Sequence, residues 1–236
     1  MAIKRILTIS LIFALAKNLF AQHTDLKEYG LKGKVKRITT MHYTDVMFVD
    51  GQWMPISFEA FSLKTMLHFN EQGYIDTSMT SFFFEPESLV SNTLAYEYKN
   101  GKKVSGKYYD FSGMLIQHHQ ISWTDQYTYT TTATDINGIK LFESTSWLND
   151  AYRDIKGDYK SYQNGELIFY EKYTDIFDEN GQLIEAEFTN VLENKKYHVL
   201  YKHIEFDKNN NPTISTLINI TEGTIKKMIL REIEYY

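Results

Sequence analysis

Through most of the chain, apolar and polar residues alternate with a period of two. From Leu183 to Glu193, Ile184, Ala186, Phe188 and Leu192 lie opposite Glu185, Glu187 and Thr189. From Ile121 to Ala133, one side carries Ile121, Trp123, Tyr127, Tyr129 and Ala133. The other carries Ser122, Thr124, Gln126, Thr128, Thr130 and Thr132. From Glu59 to Phe69 the apolar set is Phe61, Leu63, Leu67 and Phe69. Successive side chains of a strand point to opposite faces, so these runs predict half-buried antiparallel strands and not βαβ units. Turn signals punctuate them. Asp50-Gly51, Asn100-Gly101, Asn164-Gly165 and Glu222-Gly223 lie between strand-like runs. Asn-Gly and Asp-Gly suit type I′ hairpin turns, whose two central residues both need positive φ. The pattern predicts an all-β, antiparallel β-meander of about fourteen strands, a curved or rolled sheet, open or closed. Only Thr24 to Tyr29 invites a helical turn, and Glu85 to Ser88, with Pro86, is the expected longer connection.

A second signal recurs at other turns: an aromatic residue, Asp or Asn, two variable residues, Gly, one residue, then an aliphatic one. Phe69-Asn70 through Ile75, Tyr109-Asp110 through Leu115 and Phe177-Asp178 through Leu183 are full copies. Thr134-Asp135 to Gly138 and Phe206-Asp207 to Asn210 are degraded ones. Asp or Asn at the first position accepts backbone N–H bonds, and Gly or Asn tolerates positive φ. At Tyr109, Asp110, Gly113 and Leu115, and at Phe177, Asp178, Gly181 and Leu183, the chain resembles the YD-repeat (RHS-like) family of exported bacterial proteins. The copies are irregularly spaced. The resemblance implies hairpin-repeat architecture and export, with no active site attached.

The first 21 residues differ from the rest. Lys4 and Arg5 precede the apolar run Ile6–Ala16, and Ala21 precedes Gln22. That order of basic, apolar and small residues predicts a signal peptide over 1–21, followed by a single β-meander repeat domain over 22–236. Cleavage would leave 215 residues and move the formal charge from −5 to −8. Such a surface disfavours nucleic acid, which needs clustered Lys and Arg. No later apolar run is long enough for a helical membrane span, so no integral span is expected. With no Cys, stability must come from packing and hydrogen bonds; 18 Tyr and 15 Phe suit pleated surfaces.

Candidate chemistry is sparse. His118 and His119 are adjacent and His198 and His203 are five apart, so strand geometry divides each pair between faces. Asp207-Lys208-Asn209-Asn210-Asn211 imitates the start of a calcium loop, but Pro212 stands where the turn glycine belongs and Ile218 where the bidentate Glu belongs. Glu185 and Glu187 share a strand face at about 7 Å, a spacing compatible with inverting glycosidases and also commonplace on solvated strands. Trp53, Trp123 and Trp147 could stack on sugars or fill a core. The expectation is no catalytic residue, no metal site and no cofactor.

The sequence therefore reads as a non-catalytic exported β-repeat binding protein, periplasmic or associated with the outer membrane. Aromatic faces and unprotected edges would dock a protein partner in the cell envelope, a translocon-associated subunit being one concrete form. The alternative is a carbohydrate-binding protein or glycan hydrolase, and a further alternative is a small outer-membrane β-barrel. Against the barrel, Asp125, Lys227 and Arg231 interrupt apolar sides, and Glu232 and Glu234 occupy alternate positions before Tyr236.

Overall fold

The computed structural model describes residues 23–50, 52–57, 61–84, 88–221 and 224–236. The signal-peptide expectation, the Glu222-Gly223 turn and most of the Glu85–Ser88 connection lie outside them. A one-turn helix, α1 (Asp25–Glu28), is capped by Thr24, whose side chain accepts from Lys27 N–H. Then follow β1 (Val35–Tyr43), β2 (Val46–Val49), β3 (Gln52–Pro55), β4 (Leu63–Phe69), β5 (Ile75–Phe84), β6 (Ser88–Lys99), β7 (Lys102–Tyr109) and β8 (Leu115–Trp123). The remainder is β9 (Thr128–Asp135), β10 (Lys140–Leu148), β11 (Asp154–Gln163), β12 (Glu166–Phe177), β13 (Leu183–Asn190), β14 (Lys195–Phe206), β15 (Pro212–Asn219) and β16 (Thr224–Tyr235).

Fourteen of these strands form one antiparallel meander, and it closes. β1 pairs with β4 on one side, Ile38 opposite Leu67, and with β16 on the other, Ile38 opposite Ile233. The wall is thus a closed barrel, with β2 and β3 as a separate hairpin. Closure corrects one expectation: the wall keeps no unpaired edge, so edge pairing with a partner cannot occur there. The run from Ile121 to Ala133 is also two strands, β8 and β9, separated by a turn in which Asp125 Oδ1 accepts from Tyr127 N–H at 2.7 Å. Its apolar residues nonetheless share a face, because Trp123 opposes Tyr129 and His119 opposes Ala133. The longer connection is residues 44–62, which contains the β2–β3 hairpin.

The turns follow the sequence chemistry. Asn100 and Gly101 have φ of 52° and 73°, and Asn164 and Gly165 have 52° and 83°, as a type I′ turn requires. The aromatic–Asp turns are all alike. In each, the Asp or Asn Oδ1 accepts from the N–H groups two and four residues on: Asp110 from Ser112 and Met114, Asp178 from Asn180 and Gln182, Asp207 from Asn209 and Asn211. Asp207–Asn211 is therefore a turn of this kind. A further copy, Asn149–Arg153, has the same bonds but places Tyr152 at φ 62° where the others carry Gly or Asn.

The wall's two faces differ in character. Register and alternation put Tyr96, Tyr98, Lys103, His119, Trp123, Tyr129, Phe142, Tyr173, Phe188, Tyr201 and Arg231 on the inward face. Alternation puts Lys107, His118, Gln120, Lys156, Lys160, Lys172, Glu185, Glu187, Lys196 and Lys202 outside. Several form ion pairs there, among them Lys107–Glu97 at 3.1 Å and Lys160–Glu143 at 3.3 Å. Lys227 and Arg231 face inward and Asp125 sits in a rim turn, so none of the three bears on the lipid question; the outward lysines do. Fourteen strands at ~4.8 Å spacing and ~40° tilt imply a barrel on the order of 25–30 Å across, wider than its own side chains can fill. The remaining space is left to water or to another part of the chain.

Candidate functional site

The N-terminal segment takes part of that space, at one mouth. His23 to Lys32 runs across one mouth, the one bearing the β4–β5, β10–β11 and β14–β15 turns, and it is tied to strands all around the rim. Leu26 N–H donates to Gly73 O at 3.1 Å. Asp25, fully buried, accepts from Ile75 N–H at 2.7 Å and from the Tyr98 hydroxyl. Glu28 accepts from Tyr129 at 2.7 Å. His23 packs edge-on against Trp123 and Tyr152, with ring centroids 5.3 and 5.5 Å apart. On the far side, Asn211 Oδ1 accepts from Lys32 N–H at 2.7 Å, and Asn211 Nδ2 donates to Lys32 O at 2.9 Å.

Lys103 anchors this plug electrostatically. Its ammonium lies 2.8 Å from Asp25 Oδ1 and 3.7 Å from Glu28 Oε2, and all three residues are buried or nearly so. Burial alone would raise the Glu28 carboxyl, but Lys103 and the hydrogen bonds of His23 and Tyr129 hold it at about 2. Burial opposes a charged Lys103, yet Glu28 and Asp25 push its pKa well above the ordinary value. His23, Asp25 and Glu28 offer ligand atoms within 4.8 Å of one another. Lys103 already supplies the positive charge that a metal ion would bring, so this trio is an ion-pair cluster.

Inside the plug is a cavity of about 380 Å³, lined by Glu28, Tyr29, Tyr129, Arg153, Asp154, Asp175, Phe177, Tyr201, His203 and Arg231 among others. Asp154 accepts from the Tyr173 hydroxyl at 2.6 Å, and its Oδ1 is buried with no hydrogen bond. Burial raises Asp154 to about 7 and Asp175 to about 6. Gly157 makes room for Tyr173: a Cβ there would lie 2.3 Å from the Tyr173 hydroxyl. Arg153 reaches over Phe177, 5.9 Å from the ring centroid, and lies against Gly30 and Gly181.

The residues singled out from sequence are dispersed. Glu185 and Glu187 face outward beside His198, which opposes Glu187 across the β13–β14 pair. Their ligand atoms and that of His198 lie within 4.8 Å on this exposed wall, with His198 Nε2 in contact with Glu185 Oε1. His203 faces the lumen, where Ser215 and Leu183 O hold its two nitrogens, both at 2.8 Å. His118 is exposed and His119 buried. The three Trp stand apart: Trp123 in the plug network, Trp147 on the outer wall under Lys156, and Trp53 on the hairpin against Phe48. Sequence reasoning missed Asp25, Lys103, Arg153 and Asp154. Their only signal was a charge placed among the aromatic residues of inward faces.

The hairpin lies against the outside of β14–β16, over a groove of about 600 Å³ between Phe48, Trp53 and Met54 on one side and Ile204, Ile214, Ile218, Met228 and Leu230 on the other. The hairpin keeps exposed apolar side chains: Phe48 is 59% and Ile56 60% exposed, with Met47, Val49 and Met54 also exposed.

No family model matches the chain, and no curated protein matches it. Among solved structures it is similar to a porin-like protein from Bacteroides uniformis ATCC 8492, at 12% identity and a TM-score of 0.42, covering 86% of this chain and 98% of that one. It is similar also to a porin-like protein from Bacteroides vulgatus ATCC 8482, at 10% identity and a TM-score of 0.42, with the same coverage.

Proposed function

We propose that this chain is a non-catalytic accessory protein of the cell envelope, a plugged barrel standing in water and docking to a protein partner through its β2–β3 hairpin. One observation carries the reading. The β2–β3 hairpin, outside the barrel wall, exposes apolar side chains on both of its faces: Met47, Val49 and Met54 on one and Phe48 on the other, with Ile56 just beyond β3. Apolar side chains exposed together on one projecting element mark an interaction site. The envelope location rests on the expected signal peptide, and a partner within an outer-membrane complex is its concrete form.

A second reading, an outer-membrane barrel, is favoured by closure itself, since spanning barrels must leave no unpaired strand edge in lipid. The outward lysines oppose it: a Lys at the bilayer midplane costs about 2–4 kcal/mol, and several strands of this wall carry one. Two measurements separate the readings. In the first reading the protein is extracted from envelopes by carbonate or high salt and stays monodisperse without detergent. An envelope partner co-purifying with it is lost in Phe48→Ser/Ile56→Ser, whose unfolding midpoint stays near that of the parent. Resistance to carbonate, with aggregation outside detergent, would establish the membrane barrel instead.

A further inference from the structure

Arg231 lies half-buried on the inward face of β16, unpaired among the described residues. Its side chain lines the 380 Å³ cavity and a second one of about 240 Å³ on the other side, bounded by Thr40, His42 and Thr65 among others. Among the described residues no carboxylate lies within 4.0 Å of its guanidinium, and it makes no hydrogen bond. Arg153, on the same cavity, has a ring for company but no carboxylate either. An uncompensated guanidinium inside a protein is costly and is kept where something pairs with it. The surroundings add positive charge: Lys227 faces inward from the same strand, and His42 is held at about 4 by burial and then by Lys227 and Arg231. Three carboxyls border the cavity: Glu28 is paired with Lys103, and burial raises Asp154 to about 7 and Asp175 to about 6, so near neutral pH each of these two carries less negative charge than an ordinary Asp. The remaining walls include the rings and aliphatic groups of Tyr29, Tyr129, Phe177, Tyr201, Leu31 and Leu183, beside Gln182 and His203. The volume lies in the range of small-molecule sites, which are mostly apolar with a few convergent polar groups. Tyr29 on its wall is 53% exposed, so the cavity has room for more than its own side chains.

We propose that the lumen binds a small ring-bearing carboxylate, with Arg231 holding the anionic group, Arg153 beside the same cavity, and the tyrosine-lined wall receiving the ring. Guanidinium and carboxylate match in geometry as well as charge, and both oxygens can be engaged by the fork of N–H donors. The ring could belong to an aryl acid or a sugar acid; both offer a carboxylate and a face for tyrosine.

Titration calorimetry on the purified protein tests this with four probes: benzoate, glucuronate, benzamide and benzylamine. Benzoate or glucuronate is expected to bind, and the tighter of the two identifies the ring. Benzamide and benzylamine should bind at least tenfold more weakly than that acid. Arg231→Gln should weaken the acid at least tenfold with the unfolding midpoint unchanged or raised, because it removes an unpaired, half-buried charge. Arg153→Gln serves as a second variant if Arg231→Gln does not fold, and a smaller weakening is expected from it. Phe48→Ser should bind the acid like the parent, so failure here is independent of the hairpin reading. Absence of binding by either acid at millimolar concentration, benzamide or benzylamine binding as tightly as the acids, or unchanged affinity in the folded Arg231→Gln or Arg153→Gln variant would overturn the proposal.

Discussion

The Lys103 ammonium and the Asp25 carboxylate meet at 2.8 Å inside the barrel, joining β7 to a helix of a single turn. Neither residue could be buried alone, since a lone charge in such surroundings is strongly disfavoured. Lys103→Met should therefore leave Asp25 and Glu28 facing each other without a cation. The expected loss is about 3–5 kcal/mol in chemical denaturation. The triple variant Asp25→Asn/Glu28→Gln/Lys103→Met should recover a large part of it. If Lys103→Met cost no more than a surface lysine, the pair would not be what holds the plug.

Glycines at two positions separate backbone strain from plug contact. Gly113 and Gly30 have φ of +81° and +73°, so alanine at either adopts a left-handed backbone at about 1–2 kcal/mol. At Gly113 a Cβ meets nothing within 4 Å, whereas at Gly30 it would overlap the Arg153 guanidinium, 1.4 Å away. Gly30→Ala should thus lower the unfolding midpoint more than Gly113→Ala. Equal losses would show that Arg153 moves aside freely.

Acid titration should expose Asp154. Its folded pKa, about 7, lies above the ordinary 3.8, so the native state holds the proton more tightly than the unfolded chain. Its favourable contribution is complete below about pH 4 and is lost as pH rises from there through 7. Asp154→Asn should be more stable than the parent at pH 8, by on the order of 1–3 kcal/mol after allowing for solvent in the cavity, and the gain should vanish near pH 4. Glu28 works in the opposite sense. Its pKa is depressed from 4.5 to about 2, so its contribution is present above pH 4.5 and lost as pH falls through 2. A parent stability that did not fall between pH 4 and 7 relative to Asp154→Asn would contradict the buried-carboxyl assignment.

The local architecture was legible where chemistry is local. Asp110, Asp178 and Asp207 have the side chain a five-residue turn needs, and Asn100-Gly101 and Asn164-Gly165 the two positive φ values of a hairpin. The Asn149 turn escaped notice because Tyr152 stands where glycine was sought. Closure was not legible: alternation shows which residues share a face, but not that Ile38 meets both Leu67 and Ile233. The lumen site was visible only in disguise. Arg231 and Lys227 stood out as interruptions of an apolar side, and that side was assumed to face outward. Once the sheet closes, the interrupted side becomes the lumen, and the same charges become its contents.

Tyr152 joins turn strain to the plug. A non-glycine residue at φ 62° stores about 1–2 kcal/mol, and such strain persists only where neighbours hold it. Those neighbours are Tyr127, with ring centroids 5.3 Å apart, His23 at 5.5 Å, and Lys27, whose ammonium lies 5.8 Å from the ring centre. Two of the three belong to the N-terminal segment. Tyr152→Gly relieves the backbone and removes the ring at once, so the two effects act on different parts of the molecule. The wall should keep its unfolding midpoint to within about 1 kcal/mol, because strain relief and lost packing offset. The segment has no such compensation. Hydrogen exchange at the Leu26, Tyr29 and Leu31 amides, which bond to Gly73, Asp25 and Leu26 oxygens, should accelerate at least tenfold relative to amides within β9 and β10. A midpoint lowered as far as in Lys103→Met, with exchange in the segment unchanged, would mean that Tyr152 supports the wall and leaves the plug to other residues.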